Sequence, residues 1–115
     1  MEFNQYNTTV QQWIHTVLEN RETNADVVLE CCRDIIAYGR ETDDPKLMGF
    51  GFFYGGEIYY ELNDGAHFFH MMTEALTYLD RAEEWELVVR CYNFLGIASM
   101  SRGNPSLALD YYMNG

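Results

Sequence analysis

Two small groups of side chains have residue types and spacing that chemistry uses. His67 and His70 lie three residues apart with Glu74 one helical turn further on, so a helix would set two imidazoles and a carboxylate on one face, a possible metal-ligand set. A di-iron bundle, however, needs Glu-x-x-His on two helices. The acid three residues before His67 is Asp64, and it stands in a turn signal, Asn63-Asp64-Gly65. The trio therefore reads as the solvent face of a helix. The second group is the vicinal pair Cys31-Cys32. Consecutive helical positions point about 100° apart, and both cysteines continue an apolar stripe with Val28 and Ile35, so they read as small buried hydrophobes. His15 flanks an apolar face and takes no role. No serine or cysteine stands in a nucleophile motif, and no glycine-rich phosphate loop leads into a helix with lysine, Lys46 being the chain's only one. The expectation is a protein without catalytic residues, metal or cofactor, with a metal-binding helical bundle as the least favoured reading.

The elements that would carry these residues are helices. Thr8 to Glu19 places Val10, Trp13, Ile14, Val17 and Leu18 on one face. Arg21 to Asn24 breaks that pattern. A second helix is expected from Ala25 to Tyr38, stopped by Gly39 in a left-handed conformation. Asp44-Pro45 and Asn104-Pro105 each set a capping side chain before a proline suited to the first helical position. The third helix, Pro45 to Leu62, contains Gly49, Gly51, Gly55 and Gly56, each costing about 0.8–1.0 kcal/mol against alanine. It forms only if packing offsets that cost, as where two helices approach closely. A fourth helix carries Phe68, Met72, Ala75 and Leu79 to about Asp80, and a fifth runs from Glu83 to Arg102. A sixth begins at Pro105 with Leu107, Ala108, Tyr111 and Tyr112. No segment alternates with period two. The fold class is all-α: about six helices stacked as antiparallel hairpins, pairing one with two, three with four and five with six.

Composition narrows the class further. Hydrophobic residues make up 48% of the 115-residue chain, enough for one packed domain. Seven basic against eighteen acidic side chains give a formal charge of −11, which repels nucleic acid and anionic membranes. Cys31, Cys32 and Cys91 lack the spacing of a disulfide framework, and the N-terminus has neither a basic region nor an apolar run. The reading is a cytoplasmic protein without a membrane segment.

A repeat of period near forty underlies the helices. Trp13, Phe52 and Tyr92 fall at separations of 39 and 40 residues. Phe52-x-x-Gly55-Gly56-x-x-Tyr59 aligns with Tyr92-x-x-Leu95-Gly96-x-x-Ser99, and Phe68 and Met72 align with Ala108 and Tyr112. On these residues the chain resembles the tetratricopeptide repeat family, whose signature Tyr92, Leu95, Gly96, Ala108 and Tyr112 follow at family spacing. It departs from the pattern in its longer period, with the extra residues around Arg81 to Trp85, in Phe68 where alanine is expected, and in a first pair with little beyond Trp13. Trp85-Glu86-Leu87 through Leu95-Gly96 is also similar to N-terminal repeat regions of bacterial signalling proteins, some with a diguanylate cyclase output domain.

That resemblance implies a single helical-repeat domain over 1–115, the N-terminal part of a longer protein, that binds a protein or peptide as the sensing or docking part of a bacterial signalling protein. Two stripes of equal spacing are the groove candidates: Phe50, Phe53, Glu57 and Tyr60 in helix three, and Arg90, Asn93, Ile97 and Met100 in helix five. By resemblance, stripes at this offset line the concave groove; as plain packing, the aromatic members are core. Glu57 and the acidic balance favour a basic or amphipathic peptide. The second reading is self-association, since the last helix is cut short and leaves apolar surface through which the isolated chain forms a homodimer.

Overall fold

The starts of the first four helices are closed by an asparagine or aspartate side chain, and the helix ends repeat one another. In the computed structural model, which describes residues 1–101, α1 spans Thr8–Asn20, α2 Ala25–Glu41, α3 Pro45–Glu61, α4 Gly65–Arg81 and α5 Trp85–Ser101. Asn7, Asn24, Asp44 and Asp64 each accept a hydrogen bond from the backbone N–H three residues on, satisfying one of the donors a helix start leaves free. The ends of α2, α3 and α4 share a Schellman motif. Asp43, Asn63 and Glu83 are left-handed, with φ of 52°, 58° and 58°. The following N–H groups of Asp44, Asp64 and Glu84 return to the carbonyls of Gly39, Tyr59 and Leu79 at 2.8–3.0 Å. Each closing residue at once begins the next helix, so helices start at 25, 45, 65 and 85, and two such steps of 20 make the sequence period of forty.

One helix end differs from expectation. Gly39 does not stop α2, which continues to Glu41. The glycine is instead a contact point, because a Cβ there would lie 2.9 Å from Met48 Cγ and 3.2 Å from Leu47 Cβ. The left-handed conformation falls to Asp43, a residue type that tolerates it.

Helices adjacent in the chain pack against each other, α1 on α2, α2 on α3, α3 on α4 and α4 on α5, giving an all-α array with no strand among the described residues. Connections of three or four residues make these neighbours antiparallel. The sixth helix and its pairing with the fifth lie outside the described residues, as do Ala108 and Tyr112. Aromatic pairs follow the repeat: Trp13 meets Tyr38 edge-on at 6.3 Å, and Phe52 stacks on Tyr78 at 5.8 Å, forty residues further along in the second helix of the pair.

At the centre is α3, buried from Leu47 to Ile58. Its glycines are the reason it can be enclosed on all sides. A Cβ on Gly49 would sit 2.6 Å from Leu79 Cδ2, and one on Gly51 2.6 Å from Ile36 Cγ1 and 3.1 Å from the Cys32 carbonyl oxygen. Burial of the large side chains Phe50, Phe53, Phe68, Ile35 and Leu79 in one cluster offsets the helix propensity these glycines give up. No helix among the described residues is long and apolar enough to cross a membrane.

Candidate functional site

Glu57 is the one acidic side chain buried among the described residues, at 7% exposure, and it is held by charge from both sides. Arg21, in the turn after α1, donates through Nε to Oε1 at 2.8 Å and through Nη2 to Oε2 at 2.7 Å, the planar fork-to-fork geometry that suits a guanidinium to a carboxylate. Arg90, from α5, donates to Oε2 at 3.4 Å. Both guanidiniums lie over aromatic faces of α3, Arg21 at 5.0 Å from the Tyr54 centroid and Arg90 at 4.8 Å from that of Phe53. Two positive groups and one negative leave a net charge of +1 at this point of a chain that carries −11.

Beside the cluster, α1, α3 and α5 leave a hollow of about 150 Å³ lined by Leu18, Phe50, Tyr54, Glu86, Leu87 and Arg90, and by Met1 and Phe3 from the N-terminal segment. That segment is a strap across the face. Phe3 meets Phe50 edge-on at 5.1 Å, and Lys46 Nζ donates to the Glu2 carbonyl while lying 5.0 Å from the Phe3 ring centroid. Burial pushes the Tyr6 phenol above its ordinary range, and its hydrogen bond to the Asp44 carboxylate acts the same way. A wider hollow of about 500 Å³ lies at the α3–α4 turn beside Ala98, near the limit of the described chain, and no site is assigned to it.

The two groove stripes meet different fates. Phe50 and Phe53 are core, at 1% and 0% exposure, and Glu57 is saturated by its arginines. Tyr60 is half-buried against Phe68 and Phe94 at 5.4 Å each, and Phe53 meets Phe94 at 6.0 Å. The α3 stripe is thus largely a seam closed by α5, in place of an open groove. Arg90 joins the seam, whereas Asn93, Ile97 and Met100 are exposed on α5. Position in the array explains the contrast: α3 has helices on both sides and α5, among the described residues, on one only. Because Glu57 is already neutralised, it offers nothing to a basic ligand.

Arg21, Tyr54, Lys46, Leu18 and Phe3 were not among the groove candidates read from the sequence. Arg21 and Glu57 are 36 residues apart, and nothing local joins them. The available signal was that Glu57 interrupts a run of buried apolar residues and so requires a partner.

The histidines go separate ways. His67 Nδ1 is 2.8 Å from Asp64 Oδ2 and its ring stacks on Tyr59 at 4.8 Å, whereas His70 meets Phe52 edge-on at 6.4 Å. The backbone N–H of His67, then its ring, hold the Asp64 carboxyl below its ordinary value. Among the described residues no three His, Cys, Asp or Glu side chains come together as a metal set. Cys32 and Cys91 are buried and Cys31 half-buried, and all three are free thiols. Burial, the largest cause, raises all three, Cys91 to about 12. Compared with known proteins, the chain matches no family model, no curated protein and no solved structure.

Proposed function

We propose that this chain is a peptide-docking helical-repeat module, of the tetratricopeptide-like kind its sequence resembles, and that its ligand lies along the α1, α3 and α5 face. The observation that carries the reading is the strap: the chain's own N-terminal segment already lies there, anchored by an aromatic ring on Phe50 and by a backbone carbonyl on Lys46. Peptide recognition uses these two kinds of contact, side-chain pockets and main-chain hydrogen bonds. With Glu57 already paired, the face suits an amphipathic peptide with an aromatic anchor better than a basic one. A place in a bacterial signalling protein rests on the sequence resemblance alone.

The test uses the full chain carrying Phe3→Ala, which loosens the strap, and a labelled hexapeptide of the sequence Met1 to Tyr6. Saturable binding in the micromolar to millimolar range is expected, as a small interface allows, with loss when the peptide's phenylalanine becomes alanine. No saturable binding to the Phe3→Ala chain would sink the reading.

A second reading, self-association, is favoured by a separate observation. Trp85, Val89, Ile97 and Met100 form an exposed apolar stripe on α5, the face a further helix pair would cover.

A further inference from the structure

We propose a second binding site, for a small amphipathic carboxylate, in the cavity between α2 and α4. The cavity measures about 320 Å³ and lies on the far side of α3 from the Glu57 cluster. Phe52, which lines it, is rotated by roughly 140° from Glu57 at about 100° per residue. It does not depend on the peptide-docking reading.

The floor is apolar: Ile36 from α2, Phe52 from α3 and Met71 from α4. Its rim is cationic. Arg33 and Arg40 of α2 both line it, seven residues apart and so on one helix face about 10 Å from each other. His70 stands opposite on α4, its ring set edge-on to Phe52. No aspartate or glutamate lines this cavity, although the chain has 18 of them and each of the other two hollows includes at least one.

Among the described residues, the state of these arginines distinguishes them from the other cations. Arg21 and Arg90 are spent on Glu57, and Lys46 lies within 4.0 Å of Glu84. Arg81 lies over the Tyr78 ring at 5.4 Å. Among the described residues, neither Arg33 nor Arg40 forms an ion pair. Two unpaired arginines on exposed positions beside an apolar cavity complement a ligand with a carboxylate head and a hydrocarbon or aryl body: the head takes the arginine fork, the body takes the floor. The volume equals roughly ten waters at about 30 Å³ each, which suits a body of about eight carbons. Met71 gives the floor an adaptable wall, since its unbranched thioether refits to different shapes.

The probe is sodium octanoate, titrated into the full chain and followed by calorimetry and by backbone amide shifts. One-site saturable binding is expected, with the shifts centred on α2 and α4. Octanol, with the same chain and no charge, should bind at least tenfold more weakly. The double variant Arg33→Gln/Arg40→Gln alters two exposed side chains and should keep the fold while weakening octanoate at least tenfold. Ala37→Trp, which fills the cavity mouth from α2, should abolish octanoate binding with both arginines still present. Phe3→Ala, on the opposite face, should leave octanoate unchanged, so the two sites succeed or fail separately. Non-saturating binding, equal affinity for octanol, or an Arg33→Gln/Arg40→Gln chain that binds octanoate as tightly as the parent would overturn the assignment.

Discussion

Glu57 draws its partners from elements far apart in the chain, so its removal should be felt throughout the fold. Substitution by glutamine leaves two guanidiniums facing each other with no carboxylate between them. Breaking a buried pair in this way costs about 3 kcal/mol, and the loss should appear as a lower denaturation midpoint at unchanged slope. Arg21→Ala should cost more than Arg90→Ala, because Arg21 makes two hydrogen bonds of 2.8 and 2.7 Å and Arg90 one of 3.4 Å. That Glu57 needed a partner was legible in the sequence, since a carboxylate among glycines and aromatics demands one. Which partners it took was not, because Arg21 sits in a turn with no periodic signal. The thiols predict a pH dependence of definite sign. Their folded pKa values are raised above the ordinary 9.0, Cys91 to about 12, so the folded state favours the protonated form. Stability from this source is whole below pH 9 and falls as pH rises toward 12, by at most roughly 1.4 kcal/mol per pH unit for each buried thiol. Cys91→Ala should flatten the alkaline limb of a stability-versus-pH curve; an unchanged limb would mean that the thiol is not shielded. Thiol reagents should label Cys31 first in the native protein, because Cys32 and Cys91 are buried.

At the scale of the helix, the glycines of α3 separate into those that permit contact and those that merely spare a side chain. Gly49→Ala drives a methyl against Leu79, whose Cγ and backbone N stand 2.7 and 3.2 Å away. The gain in helix propensity, about 1 kcal/mol, should be outweighed by overpacking, for a net loss of about 1–2 kcal/mol. At Gly55 the close neighbour is the terminal methyl of Met71, which can swing aside, so Gly55→Ala should be neutral or stabilising by up to about 1 kcal/mol. Thermal melts of the two variants should move in opposite directions or differ plainly in size. The turns offer a second check. Glu83 is a poor residue for a left-handed position that its counterparts fill with Asp43 and Asn63. Glu83→Gly should raise stability by about 0.5–1 kcal/mol, and a fall would show that its side chain does more than close the helix. Helix starts were plain in the sequence because capping side chains announce them. The end of α2 was not, because Gly39 carries the same sequence signal whether it terminates a helix or lets another helix approach.

At the scale of the whole molecule, the face of α5 left uncovered among the described residues bears on solution behaviour. Trp85, Val89, Ile97 and Met100 present apolar area on α5 that a second copy can cover. At about 25 cal/mol per Å², a few hundred Å² offsets part of the cost of association and leaves weak pairing. Sedimentation should therefore show mass rising with concentration, and Ile97→Glu with Met100→Glu should hold the chain monomeric; a parent that stays monomeric at high concentration would refute the exposed-face argument. The array itself was legible in the repeat of forty, whereas the burial of one stripe and exposure of its counterpart was not, since an inner and an outer repeat carry the same spacing. The central place of α3 has one more consequence. Its glycine hollows are moulded on one side to Ile36 and on the other to Leu79 and Met72, so the specificity of the fold is stored in a helix that both halves of the chain must share. A polypeptide split at the Asn63 turn leaves the hollows of Gly49 and Gly56 open on one piece and Leu79 and Met72, which fill them, on the other. The two pieces are then complementary halves of a reassembling pair, with the glycines as the address; in the intact chain the turn is their tether.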